Sequence, residues 1–394
     1  MTVAELKKEF IKRFGGSEKN VRVFASPGRV NLIGEHIDYN GGSVLPAAIT
    51  LGTTIAARVR DDRKLVMEAT DLTDHVEIDL DKIDNYKDLW WGNYQAGIAK
   101  ELMIDGMELV GADMLYDDTL PHGGGLSSSA AIEVATALAL TVFANEKAGK
   151  DEKVDMIKMA LIGQRAERNY AGVSCGIMDQ FASAMGKENC AVLVDCATLE
   201  YKHVPLDLGD ASIVITNTNK KRSLITSKYN ERCDECAKAL SDMKTVMPEI
   251  SCLADVSVED FEKNKSAIKC DICRTRAEHV IYECDRVAKS VEALSKGDIP
   301  LFGQLLNQSG DSLKDLYEVT GIELDTLVEA ARSVKGCLGS RMTGAGFGGC
   351  TVSIVKNDSI DEFKETVHKL YTEKIGYEPS FYITTPGDGG REIK

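Results

Sequence analysis

The chain has 394 residues, long enough for two or three domains. Its 47 basic and 62 acidic residues leave a net charge of −15. That argues against a general nucleic-acid binder, while leaving room for a local cluster of donors around an anionic substrate. Hydrophobic residues at 43% and charged residues at 28% are ordinary for a soluble globular protein. The longest nearly apolar run, residues 134–144, is shorter than the roughly 20 residues a membrane span needs.

The opening MTVAELKKEFIKRF puts Val3, Leu6, Phe10, Ile11 and Phe14 at helical spacing and lacks the apolar core of a secretory signal. Residues 21–25, 30–33, 49–59, 64–69 and 107–116 read as strands, β-branched or alternating between turns. Residues 127–147 are Ala-rich and apolar over about five turns, which predicts a buried helix. Residues 151–170 predict a second helix, with Val154, Ile157, Ala160 and Leu161 on one face. Short strands at 191–194 and 212–216 precede a mostly helical stretch at 223–331, and strands return at 350–355 and 380–385. The class is therefore mixed α/β (α+β), with strands at both ends and helices between. A polar Asp/Gly turn near 206–210 suggests one domain over 1–207 and another over 208–394. Eleven cysteines at irregular spacing suit buried small hydrophobes in a cytoplasmic protein better than a disulfide framework.

Four segments carry chemistry. In PHGGGLSSSA (121–130), three glycines and three serines open the Ala-rich helix. Glycine lets backbone N–H groups approach an anion, a helix N-terminus adds unsatisfied donors, and serine hydroxyls can donate to phosphate or ligate Mg²⁺. A plain capped turn needs only one of each. GAGFGG (344–349) matches a dinucleotide fingerprint by letter, but a β-branched run follows it where that motif requires a helix. It reads instead as a tight loop bringing backbone close to a ligand or another loop. In residues 26–42, Arg29 starts a strand whose following turn carries Glu35, His36 and Asp38. That turn suits a metal, vicinal sugar hydroxyls or solvent, with metal disfavoured by the single His. Asp179, in CGIMDQF (175–181), reads equally as a partly buried functional carboxylate or as a helix cap. The pairs Cys233/Cys236 and Cys270/Cys273 are separated by 33 residues, outside common zinc spacing.

Taken together, GRVNLIGEHIDYNGG (28–42), PHGGGLSSSAA (121–131), QRAERNYAGVSCGIMDQF (164–181), RMTGAGFGGC (341–350) and PGDGGREI (386–393) resemble the GHMP small-molecule kinases, and within them the galactokinase family. The likeness runs in order along nearly the whole chain. It departs at Ile37, where that family often carries Thr and N-acetylgalactosamine kinases can carry Ile. The resemblance implies a two-domain fold, a ribosomal-S5-domain-2-like N-terminal part and a ferredoxin-like C-terminal part with the site in the cleft between them. It implies transfer of the ATP γ-phosphoryl to the anomeric hydroxyl of α-D-galactose by a cytoplasmic monomer using Mg²⁺, with no nucleic-acid or membrane partner. The alternatives on the same fold are an N-acetylgalactosamine 1-kinase and a non-catalytic sugar sensor. By resemblance, Asp179 and Arg29 are catalytic, and Glu35, His36, Asp38, Gly176, Asp179 and Tyr229 contact the sugar. Gly123, Gly124, Gly125, Leu126, Ser127, Ser128 and Ser129 hold nucleotide phosphates, Trp91 and Tyr94 flank the adenine, and Ser128, Ser129 and Glu167 hold the metal. Asp179 would accept the anomeric proton or simply orient that hydroxyl.

Overall fold

The computed structural model describes residues 1–121, 124–173, 175–220 and 225–393. Two sheets organise it. The first contains β1 (Arg22–Ile33), β2 (Ser43–Val59), β3 (Lys64–Ala69), β4 (Val76–Asp79), β5 (Ala112–Asp118), β6 (Cys190–Asp195), β7 (Tyr201–Pro205) and β12 (Arg391–Ile393). Its main order is β12-β1-β2-β5-β3-β4, with β6 pairing the start of β2 and β7 pairing β6. The second contains β8 (Ala211–Asn217), β9 (Cys337–Thr343), β10 (Cys350–Lys356) and β11 (Ser380–Thr384), in the order β11-β8-β10-β9. All named strand pairs are antiparallel except β3 with β5.

Alternation along the strands decides what each face packs against. On the first sheet, Phe24, Ile55, Ala57, Met67, Met114 and Tyr116 face α2 (Gly92–Ile104), α3 (Ser128–Lys147) and α4 (Met156–Ala166). Ala56 and Leu115 face the other way and meet Leu6 and Phe10 of α1 (Val3–Phe14), whose Thr2 and Glu5 form a capping box. α3 is long and apolar enough to cross a membrane, yet 72% of its most apolar window is buried inside the protein, so it is a core helix. On the second sheet, Val214 and Val355 meet α10 (Ile322–Ser333) and α11 (Ile360–Ile375). Ile213, Ile215, Val352 and Ile354 turn instead to a core that includes side chains of α6 (Ile225–Met243), α8 (Asp271–Ser295) and α9 (Ile299–Asp315). That core also takes in Val30, Leu32 and Ile33 of β1, so apolar packing is continuous between the two sheets. Two short helices, α5 (Met178–Met185) and α7 (Val258–Asn264), complete the set.

Several boundaries differ from the sequence reading. The strands expected at 21–25 and 30–33 are one bent strand, with a register shift between Pro27 and Arg29. Gly28 sits at that shift, where a Cβ would stand 2.5 Å from the Leu126 carbonyl oxygen. The strand expected from 107 begins at Ala112. The helix expected over 151–170 begins only at Met156, because Asp155 caps it, and it ends in a π-turn at Glu167–Ala171. β4, β7, β9 and β12 were not anticipated. CLGSRMT is rich in small and polar residues, and three residues are too few to show alternation.

Candidate active site

The bulge at Gly28 lets the chain bring two distant segments together. The Arg29 N–H donates to the Leu126 carbonyl at 3.1 Å. The Arg29 guanidinium, 4% exposed, donates from Nη1 to the Gly125 carbonyl at 2.7 Å. It also lies against Asp179, with Nε at 2.9 Å and Nη2 at 2.8 Å from the same oxygen, Oδ1, a charge-assisted contact shared by two donors. Asp179 is the second residue of α5 and caps nothing. Its other oxygen accepts the Ser127 hydroxyl at 2.5 Å. Ser127 stands just before α3 with φ 60°, a left-handed conformation that turns its side chain away from the cap position.

These groups line a cavity of about 280 Å³. Arg29, Glu35, His36, Asp38, Gly125, Ser127, Ser128, Ser129, Glu167, Gly176, Asp179 and Tyr229 all border it, and Gly344 and Ala345 of the GAGFGG loop close one side. Glu35 is 1% exposed, with each oxygen bonded within the protein and Oε2 keeping room for a second donor. Oε2 accepts Asn31 Nδ2 at 2.7 Å, while Oε1 accepts the Gly344 N–H at 2.7 Å and lies 3.2 Å from the buried Arg341 guanidinium. His36 has φ 62°, and its Nδ1 shares a hydrogen bond with Tyr39 Oη at 2.9 Å, which in turn shares one with Tyr317 Oη at 2.7 Å. Burial pushes its pKa down to about 3, so the ring is neutral. Its buried Nε2 makes no hydrogen bond within the protein. Burial, then the charge of Asp179, raise Asp38 to about 7. Gly176 is confined to glycine by that carboxylate, because a Cβ there would stand 1.6 Å from Asp38 Oδ2.

A second acidic group lies beside the serines. Gln180 Nε2 donates to Glu133 Oε2 at 3.0 Å and to Glu167 Oε2 at 2.7 Å. Burial raises both carboxyls; the charge of Glu167 adds to the rise at Glu133, and that of Asp179 to the rise at Glu167. Ser129 hydrogen-bonds Glu167. Among the described residues no group of three or more His, Cys, Asp or Glu stands in metal-binding geometry. The donors that do face the cavity here, hydroxyl and carboxylate oxygens, are the hard ligands Mg²⁺ takes alongside phosphate and water.

The expected loop residue Gly123 lies outside the described residues. Leu126 points into the core and offers only backbone to the site. Trp91 and Tyr94 do not border the cavity; the Trp91 ring stands edge-on to Tyr116 at 5.8 Å. Asn31, Arg341, Glu133 and Gln180 were missed by the sequence reading. Asn31, Gln180 and Arg341 do lie inside quoted motifs, which was the available signal. Cys233 and Cys236 sit within α6, and Cys270 caps α8 by accepting the Cys273 N–H; the eleven cysteines form no disulfide.

Comparison with known proteins agrees with this geometry. Residues 8–59 match the galactokinase galactose-binding signature, 93–187 the GHMP kinase N-terminal domain and 290–373 the GHMP kinase C-terminal domain. A galactokinase of Clostridium tetani is 48% identical over 100% of this chain and 98% of its own length. One from Fusobacterium nucleatum is 47% identical over 98% of each. The crystal structure of Lactococcus lactis galactokinase complexed with galactose superposes with a TM-score of 0.95 at 42% identity, covering 100% of both chains. The chain belongs to the galactokinase family. The wider GHMP fold extends to a mevalonate kinase at 19% identity and a TM-score of 0.66, a likeness of fold alone. As a galactokinase-family member the chain is a sugar-1-kinase by descent, and GHMP membership implies ATP- and Mg²⁺-dependent catalysis. All three family models cover segments that build the cavity: Arg29 to Asp38 in the first, Gly125 to Asp179 in the second, and Gly344 and Ala345 in the third.

Proposed function

We propose that the protein phosphorylates the anomeric hydroxyl of α-D-galactose with ATP, giving galactose 1-phosphate and ADP. The observation that carries this reading is one cavity holding Arg29, Asp179 and the Gly/Ser loop at one side and the hydroxyl-binding set Glu35, His36 and Asp38 at the other. Phosphoryl transfer asks for alignment and charge neutralisation more than covalent chemistry. The sugar O1 forms a bond to the γ-phosphorus as the bond to the β,γ-bridging oxygen breaks. Asp179 holds the O1 hydroxyl, whose proton passes to that carboxylate or to water as the ester forms, and Arg29 supplies a fixed positive charge to the transferring group while keeping Asp179 in place. Gly125, Ser127 and Ser128 present donors to the phosphates, while the Gly124 N–H is taken by the Pro121 carbonyl, and Trp91 and Tyr94 would flank the adenine from beyond the cavity described. Ser128, Ser129 and Glu167 would hold Mg²⁺, which when bound offsets the phosphate charge. Glu35 and Asp38 accept sugar hydroxyls, and the free Nε2 of His36 suits another. A cytoplasmic monomer with no membrane partner remains part of this reading, and the acidic net charge supports the absence of a nucleic-acid partner.

The test is a coupled ADP-release assay with Mg·ATP against galactose, N-acetylgalactosamine, glucose and no sugar. Turnover with galactose and little with glucose is expected, because a site built to bond one hydroxyl leaves buried polar groups unpaired with its epimer. Preference for the N-acetyl sugar would keep the chemistry and replace the substrate. No turnover from folded protein would overturn the kinase reading in favour of a sensor.

A further inference from the structure

The turn bearing Glu35, His36 and Asp38 is held from behind by one face of α8. Glu283 is fully buried. Its Oε1 accepts the Gly34 N–H at 3.0 Å and the Ser309 hydroxyl at 2.6 Å, and its Oε2 accepts Arg286 Nε at 2.6 Å. One turn earlier, the buried His279 reaches the Glu35 carbonyl from Nε2 at 3.1 Å and Ser312 Oγ from Nδ1 at 2.8 Å. Burial pushes His279 down to about 4, so its ring is neutral. A carbonyl only accepts, so Nε2 carries the proton and Nδ1 accepts from Ser312. One turn later, Val287 lies 3.1 Å from where a Cβ on Gly34 would stand. Positions 279, 283 and 287 share a face by helical spacing, and none of the three borders the cavity.

We propose that Glu283 is a positioning residue for sugar recognition: by holding the Gly34 N–H it fixes the bend that aims Glu35, His36 and Asp38 into the cavity. Gly34 has φ 102° and His36 φ 62°, so the turn passes through the left-handed region twice within three residues. Such backbone persists only where its surroundings over-determine it. The amide of Gly34 has no strand partner at this point, and Glu283 is its acceptor. Burial alone would raise the Glu283 carboxyl, but Arg286 leads the opposing charges and holds it at about 2, so both oxygens accept. The kinetic consequence rests on the galactose reading; the conformational one does not.

The experiment uses two variants of the full chain. Glu283→Met with Arg286→Met removes the ion pair together, leaving no lone buried charge. Glu283→Gln keeps the shape but replaces a charge-assisted bond by a neutral one of roughly half the strength. In the paired variant, galactose KM should rise roughly tenfold to hundredfold, the range that follows from leaving the Gly34 N–H without an acceptor, the Ser309 hydroxyl being free to rotate to another, with KM for ATP within about twofold of wild type. Hydrogen–deuterium exchange in a peptide spanning 31–42 should speed up in parallel, and Glu283→Gln should fall between wild type and the paired variant in both readouts. Wild-type exchange over 31–42 in either folded variant overturns the proposal. So do equal rises in both KM values, which would mean general loosening. If the paired variant does not fold, the exchange of Glu283→Gln decides. If wild-type protein does not phosphorylate galactose, the substrate reading fails while exchange, which needs no substrate, still judges Glu283.

Discussion

Asp179 has both oxygens occupied, by Arg29 on one side and Ser127 on the other. A carboxylate so fixed is aligned before substrate arrives, and preorganised charge of this kind is worth a factor of about 10²–10³ in turnover. Asp179→Ala should therefore lower kcat by about that factor while calorimetry still detects galactose binding; near-normal kcat would remove Asp179 from its assigned role. Arg29→Ala should lower kcat far more than it raises KM for ATP, and the reverse pattern would make Arg29 a binding residue only. Asp38 predicts a pH effect. Its folded pKa of about 7 lies above the usual value of about 3.9. The folded protein thus binds the extra proton between these limits, and Asp38 contributes stability at low pH that is lost as pH rises through 7. Asp38→Asn should flatten the dependence of unliganded stability on pH between 4 and 7. The wild-type galactose KM should rise as pH falls below 7, because a protonated Asp38 loses acceptor capacity; a flat profile in both measurements would contradict the assignment.

At the scale of elements, β9 matters because it carries Arg341 and Thr343 to β1. Arg341 Nη1 donates to the Asn31 and Leu32 carbonyls at 3.1 and 2.7 Å, and Thr343 Oγ1 both accepts from and donates to the Asn31 backbone. Arg341 also faces Glu35, and both side chains are almost wholly buried. Arg341→Met should cost about 3–5 kcal/mol in urea unfolding, because it leaves Glu35 as an unpaired buried charge. A loss under about 1 kcal/mol would show the pair to be solvated in practice. This element also shows where sequence legibility stopped. The glycine-serine loop and the acidic turn were readable because their chemistry is written in adjacent letters, whereas Arg29 and Asp179 took their roles from the family resemblance alone. Arg341, His279 and Glu283 were not, because their partners lie about 240 to 310 residues away and a lone charged letter in a helix or strand reads as solvated surface. The single strand β1 was divided in the reading because Pro-Gly signals a turn locally, while pairing with β2 on both sides of the bulge overrides that signal.

For the whole molecule, the shared core joining Val30 and Leu32 to Ile213 and Val352 argues that the two sheets unfold together. Saturating galactose, at about a hundred times its Kd, should add about 2.7 kcal/mol and move one calorimetric transition as a unit. Two transitions, with only one of them shifted, would show that the parts melt separately. Cysteine chemistry should be silent in the same experiment: with no disulfide present, a reducing agent should leave the midpoint unchanged.

The place of β12 sets the timetable on which this protein can be made. Residues 391–393 pair with Ala25, Phe24 and Val23, and Arg22 closes on Glu392 with contacts of 2.6 and 2.7 Å. On a ribosome adding about 5–20 residues per second, the partner for that side of β1 arrives tens of seconds after β1 itself has emerged. Until then the nascent chain carries an open strand edge, a template for pairing with a neighbouring chain. Translation halted before residue 391 should thus release a species that aggregates through β1, and finishing the last few residues is what shields it.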